Sequence, residues 1–301
     1  MYNPQLETFI AVADCGSFSK AAEALFITPT AVIKQINLLE SNLSLQLFVR
    51  SFRGLTLTKA GHSLYNDAKY LIQYAKDSVV RARNAMQEGD NVIRIGTSLM
   101  TPCQYLLELW PRLEAVCPDI RFQLVPFENT PENAREILGN LGQNIDVILG
   151  IFDDVMLRLR RCDALELSRE PICVALSVNH RLANRRRLSY KDLYGETLML
   201  MNRNWSSYVD ALRDDLQSNH PQIRIEDFSF YNINVFNRCE GGDRLLMAVR
   251  RWDHVHPLLK ILPVNWAHTV PYGILHSPKP SDLVLRFLNA VQQALGTPAK
   301  Q

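Results

Sequence analysis

Two sets of polar side chains in this 301-residue chain have types and spacings suited to chemistry, and in both the chemistry is recognition. In the first set, Thr30, Ile33, Lys34 and Asn37 fall on one side of a helical repeat, while Val32, Ile36 and Leu39 fall on the other. A hydroxyl, an ammonium and a carboxamide on one exposed stripe suit phosphates and base edges of a duplex, and Ile33 suits a thymine methyl. If Ile33 is instead core, the stripe is narrower by one residue. Thr28, just before Pro29, is the matching N-cap, with Pro29 at the first helical position, where its missing N–H costs nothing.

The second set sits where strands give way to helices. It comprises Thr97, Ser98 and Thr101, then Thr130, then Asn202 and Arg203, then Tyr231 and Asn232. In α/β units, ligands bind at the carboxyl ends of strands and against helix N-termini, where free N–H groups favour anions. Arg203 suits a carboxylate. Taken singly, each hydroxyl or amide is equally an N-cap; taken together they outline a cleft for a small-molecule effector whose identity the residues leave open.

Bond-making chemistry finds no constellation. The chain has no GxGxxG, phosphate-loop, GxSxG or HExxH pattern, so neither a cofactor nor an enzyme is expected. His254 and His256 beside Asp253 lack a third partner at metal-ligand spacing, and no metal is expected. The cysteines at 15, 103, 117, 162, 173 and 239 form no CxxC. With no N-terminal signal pattern, reduced thiols and a cytoplasmic location are expected. A redox pair of Cys162 with Cys173 or Cys239 is the alternative. Apolar runs such as 145–152 are too short to cross a membrane. Net charge is only +2, yet residues 15–62 carry Lys20, Lys34, Arg50, Arg53 and Lys59 against Glu23 and Glu40. A local basic excess on a near-neutral chain fits a specific duplex binder better than a general polyanion binder.

These residues need elements to position them. The pattern predicts helices over 4–14, from Ser17 or Ser19 to Leu25, and from Pro29 to about Ser41, with a break at Phe26-Ile27. Two short helices and a tight turn make a helix-turn-helix. Strands at 47–50 and 55–58 enclose a basic tip carrying Arg53, which makes a wing; a plain helical core with scattered surface charge is the rival reading. Thr58 caps a long helix to about Gln87. Its apolar residues Tyr65, Ala68, Ile72, Ala75, Val79, Ala82 and Met86 step by alternating threes and fours. That is a heptad seam for a homodimer, or an amphipathic face packed on its own domain.

After 88–91 the pattern turns to strand and helix in alternation, which predicts parallel sheet with crossover helices. Strands are expected at 92–96, 120–127, 145–152, 171–178, 197–201, 223–228, 245–250 and 270–276. Helices are expected at 102–116 (capped by Thr101), 131–141, 189–194, 206–218, 232–239 and 280–295.

The residues Gly16-Ser17-Phe18, Ala21-Ala22, Leu25, Ala31-Val32, Gln35-Ile36, Leu39-Glu40, Leu47-Phe48, Arg50, Leu57-Thr58 and Ala60-Gly61, with Leu6 and Phe9 before them, resemble the winged helix-turn-helix of LysR-type transcriptional regulators. Two departures stand out: Pro29 where the family often has Gln, and Ile33 where it often has Ser. Both family residues tend to face DNA. The second half resembles, in pattern, the effector domain of the same family, a fold shared with periplasmic solute-binding proteins. Glu240 to Met247 departs from the family's usual glycine-rich segment.

The resemblance implies an α/β protein. It has a DNA-binding domain at 1–58, a linker and dimerisation helix at 59–88, and an effector domain at 89–301, with subdomain I at 91–163 and 269–301 and subdomain II at 164–268. It implies a regulator that binds double-stranded promoter DNA as a homodimer or tetramer, answers to a small molecule and works with RNA polymerase. The DNA-contacting set is then Ser17, Ser19, Thr28, Thr30, Ile33, Lys34, Asn37, Arg50 and Arg53. A solute-binding protein or sensor without a DNA role is the alternative.

Overall fold

The first helix, α1 (Gln5–Cys15), ends on Gly16, whose φ of 61° lies in the left-handed region that favours glycine. The turn reverses the chain into α2 (Phe18–Leu25), and α3 (Pro29–Leu43) follows with Thr28 accepting the Ala31 N–H at 3.2 Å. Two short strands, β1 (Phe48–Ser51) and β2 (Gly54–Leu57), pair antiparallel with Phe48 opposite Leu57. The computed structural model describes residues 2–51, 54–85 and 91–296. Arg53 and Met86 therefore lie outside the described residues, as does the side chain of Arg50.

Helix α4 (Lys59–Ala85) starts on Thr58, whose hydroxyl accepts the Gly61 N–H at 2.9 Å and donates to the Gln46 carbonyl at 2.7 Å. Gly61 sits against β1 so closely that a Cβ would meet the Leu47 carbonyl oxygen at 2.2 Å. Residues 1–88 form one compact unit around Phe9, Val12, Ala21, Val32, Ile36, Leu39 and Leu47. Ala68 and Ile72 belong to the same core, and Tyr65 packs on it. The first half of the expected seam is thus covered by its own domain. The cause is α1, whose apolar side takes up the stripe. Val79 and Ala82 remain exposed, as do Leu71 and Val80 on other sides of the helix.

Residues 89–301 form the second unit. Nine of its described strands make one sheet in the order β4-β3-β5-β11-β6-β9-β7-β8, with β10 also on β6. These are β3 (Val92–Thr97), β4 (Arg121–Pro126), β5 (Val147–Ile151), β6 (Asp163–Ser177), β7 (Thr197–Met201), β8 (Arg224–Phe228), β9 (Leu245–Val249), β10 (Leu259–Pro263) and β11 (Thr269–His276). Parallel pairing holds for β3 with β4 and β5, and for β7 with β8 and β9. The expectation of a parallel sheet fails at the middle, where β11 runs antiparallel to β5 and β6, and β6 antiparallel to β9. The chain crosses between halves on two long strands, and a direct return needs no crossover helix.

Helices α5 (Gln104–Val116) and α10 (Asp282–Ala294) cover one face of the first half around Ile93, Leu109, Val147 and Phe287. Helices α6 (Pro131–Gly139) and α7 (Asp154–Arg160) cover the other around Leu138, Ile148, Phe152 and Met156. The second half, with α8 (Ser207–Asn219) and α9 (Ile233–Asn237), has one continuous core from Ile172 to Val270. Each fully buried Leu or Val there contributes about 1.5–3 kcal/mol. Across β3 and β5 the Arg94 guanidinium grips Asp146 with two bonds, at 2.7 and 3.0 Å.

Three elements escape the sequence pattern. Helix α7 is too short to show a helical period, the first half of β6 alternates with charges, and β10 is a brief apolar run.

Candidate nucleic-acid interface and ligand cleft

In the first unit, Val32, Ile36 and Leu39 are buried to 2% exposure or less and set the rotation of α3. The Thr8 hydroxyl adds a bond to the Gln35 amide oxygen at 2.5 Å, tying α3 to α1. Thr28, Thr30, Lys34 and Asn37 are consequently exposed on the opposite side, and Ile33 is half-buried at its margin. Ser17 is the extended residue before α2 and makes no side-chain cap bond; Ser19 is exposed one position into the helix. The hairpin is tied to α3 by a side chain and to the end of α1 by backbone. The Glu40 carboxylate accepts the N–H groups of Leu47 and Phe48, and the Leu55 N–H donates to the Gly16 carbonyl at 3.2 Å.

Phe26 is a feature that helical periodicity does not reveal. It forms the turn between α2 and α3 at φ 56°, in the left-handed region, with its ring 94% exposed.

In the second unit, six of the eight sequence-predicted ligand residues divide among three hollows. A cavity of about 100 Å³ lies between the α6–α7 side and the second half of the sheet; Thr101 and Tyr231 line it, with Phe127, Met156, Trp205 and Arg160. An adjoining hollow of about 400 Å³ carries Thr130 and Asn232. Thr97 and Ser98 line a separate hollow of about 810 Å³ with Tyr105, Arg250 and Arg251.

Several assignments change. Thr101 does not cap α5, which begins at Gln104 with Cys103 as the residue before it. Thr101 instead faces Ser98 across a backbone bridge, hydroxyls 2.8 Å apart. Thr130 and Asn232 are N-caps, accepting from Asn133 and Val235 at 3.2 and 3.1 Å. Asn202 and Arg203 line none of the three hollows. The Arg203 guanidinium turns outward to Asp214 at 2.5 Å and Gln217 at 3.0 Å, past a turn made by Asn204 at φ 66°. The Tyr231 hydroxyl donates to the Met247 carbonyl at 2.8 Å, and burial pushes it well above the ordinary phenol range.

Across the two halves, the Asn129 amide donates to the Tyr231 carbonyl at 2.7 Å and the Trp252 indole to the Met100 carbonyl at 3.0 Å. Asn129, Trp205 and Arg160 are cleft residues that the sequence pattern did not single out.

Burial pushes the thiols of Cys162 and Cys173 up to about 11 and that of Cys239 to about 12, away from thiolate chemistry. His256 is spoken for by Asn237 and the Leu258 N–H. Among the described residues no helix is long and apolar enough to cross a membrane.

Two family profiles match this chain. One, described as a bacterial regulatory helix-turn-helix protein of the lysR family, matches residues 4–62; the other, the LysR substrate binding domain, matches residues 87–237. The chain belongs to the LysR family. It is a LysR-type DNA-binding transcriptional regulator with a substrate-binding domain. Two relatives are HTH-type transcriptional regulators of Bacillus subtilis. YvbU is 26% identical over 235 residues, covering 77% of this chain and 75% of its own. CysL is 28% identical over 286 residues, covering 92% of each. Among solved structures, the LysR family regulator CbnR superposes with a TM-score of 0.58 at 20% identity, covering 98% of this chain and 99% of its own, a likeness of fold.

Proposed function

We propose that this LysR-type regulator binds promoter DNA as a homo-oligomer and that a small molecule in the cleft of its second unit sets its output. One observation carries the DNA reading. The buried side of α3 fixes an outer stripe of Thr30, Lys34 and Asn37, with Ile33 at its edge, as a major-groove helix requires. Ser17, Ser19 and Thr28 supply short polar contacts at the helix starts, and Arg50 and Arg53 of the wing supply charge to phosphates. RNA polymerase at the same promoter is the further partner, and the cytoplasm is the place of action. The protein works by binding, without catalysis.

The oligomer is supported by the apolar side chains of α4 left open in the single chain, above all Leu71 at 48% exposure. Residues 59–88 then serve as the dimerisation helix, and the effector lies between subdomain I (91–163, 269–301) and subdomain II (164–268).

Gel-shift and sedimentation of the full chain test both. Lys34→Ala weakens promoter binding. Leu71→Asp sediments as a smaller species and loses the specific shift, because paired half-sites need paired heads. Parent-like sedimentation and shift in Leu71→Asp would contradict α4 as the seam, and a monomeric parent would contradict the oligomer; a parent-like shift in Lys34→Ala would contradict the α3 assignment.

A further inference from the structure

We infer that the cavity bordered by α6 and α7 takes a small monocarboxylate with an apolar body, its carboxylate held by Arg160. The inference rests on the cleft being the effector site and adds the chemical class of the occupant.

Arg160 is the last residue of α7, and its side chain lines the cavity. It has neither a hydrogen bond nor an ion pair to any described residue. Other arginines in this unit with comparable burial do: Arg94 has Asp146, and Arg251 has Glu170. Among the described residues no carboxylate lines the cavity. The neighbouring acid on α7's own cap, Asp153, is saturated by the Val155 N–H, the Ser207 N–H and the Ser207 hydroxyl at 2.7, 3.0 and 2.5 Å. A half-buried guanidinium beside an apolar wall, with no acid against it, is placed to take an anion. Burial accordingly lowers the Arg160 guanidinium from its ordinary range.

The rest of the wall states what accompanies the anion. Phe127, Trp205, Trp252 and Met156 present rings and a thioether. The Tyr231 hydroxyl and the Asn129 amide N–H are already engaged, leaving few polar contacts for a polyhydroxylated ligand. Among the described residues Arg160 is the only cation in the wall, so a monoanion suits it better than a phosphate or dicarboxylate. A cavity of about 100 Å³ excludes an occupant larger than a single ring or a short chain.

The test is calorimetry and thermal shift on the full chain at millimolar ligand, using benzoate and hexanoate against uncharged benzamide and cationic benzylamine. The carboxylates bind and raise the melting temperature, and benzamide and benzylamine are weaker by about tenfold or more. Arg160→Gln lowers benzoate affinity to that of benzamide, and Arg160→Lys retains part of it. Without ligand, Arg160→Gln melts no lower than the parent, since it removes an unpaired charge; this separates lost binding from lost fold. Ala134→Met fills the cavity and weakens every ligand that binds there.

Benzamide binding as tightly as benzoate, or unchanged benzoate affinity in Arg160→Gln, overturns the ligand class while leaving the cleft reading in place. Carboxylate binding untouched by Ala134→Met overturns the cleft as the site. Silence of both carboxylates toward the parent overturns the proposal.

Discussion

The Glu40 carboxylate accepts the backbone N–H of Leu47 at 2.6 Å and that of Phe48 at 3.1 Å. Glu40 belongs to α3 and Leu47 leads into β1, so one side chain fixes the hairpin relative to α3. Although acidic, it answers to backbone donors and does not belong to the exposed stripe of Thr30, Lys34 and Asn37. Glu40→Ala leaves these N–H groups without their acceptor at the edge of a buried Leu47, at a cost of about 1–3 kcal/mol. Glu40→Gln keeps an acceptor oxygen and costs less. Urea unfolding followed by tryptophan-independent circular dichroism measures both; equal stability in Glu40→Ala and the parent would remove the tether from the account.

Phe26 offers a change in the opposite direction. A left-handed backbone at a non-glycine residue costs about 1–2 kcal/mol, and a ring that is 94% exposed returns almost no packing. Phe26→Asn, with a side chain that tolerates this region, raises stability by about 0.5–1 kcal/mol. A thermal melt reads the gain. A lower melting temperature would show that the ring is buried in the assembled protein.

Asp215 predicts a pH response. His268, Asn219 and Tyr190 all bond its carboxyl, with His268 the largest influence, and hold it at about 2 against the usual 3.8. A depressed carboxyl stabilises the fold above its unfolded value and loses that contribution as pH falls from about 4 toward 2. With its side chain about a quarter exposed, the contribution is about 1–2 kcal/mol. Asp215→Asn therefore lowers stability at neutral pH and flattens the acid limb of the stability curve. An unchanged acid limb in denaturant titrations at stepped pH would refute this.

Much of the first unit was legible in the sequence because its determinants are local. Thr28-Pro29 marks the start of α3, and the spacing of Val32, Ile36 and Leu39 gives its buried side. The seam on α4 was harder, because the same stripe of Tyr65, Ala68 and Ile72 serves a partner chain or α1 equally well; only tertiary packing decides. In the second unit, cap chemistry is local too, so Thr130 and Asn232 could be placed at helix starts. Their oxygens, however, are engaged by the helices they cap. Arg203 was matched to a ligand because its tie to Asp214 depends on how the turn at Asn204 faces α8. Arg160 went unnoticed for the converse reason. It stands on a seven-residue helix without readable period, and only the long-range approach of Trp205 and Trp252 makes its surroundings a cavity.

The central claim is that the outer stripe of α3 reads DNA, and selection from a random duplex pool by the full chain tests it most directly. The parent protein should enrich a defined sequence. Asn37→Ala and Thr30→Ala should enrich altered bases, each lost contact to a base edge costing about 1–3 kcal/mol. If Lys34 meets phosphate, Lys34→Ala should keep the same sequence, bind it more weakly and reduce the salt slope by about one. The contradicting result is plain: all three variants enriching the parental sequence with parental affinity and salt dependence would mean that α3 is not the helix in the groove.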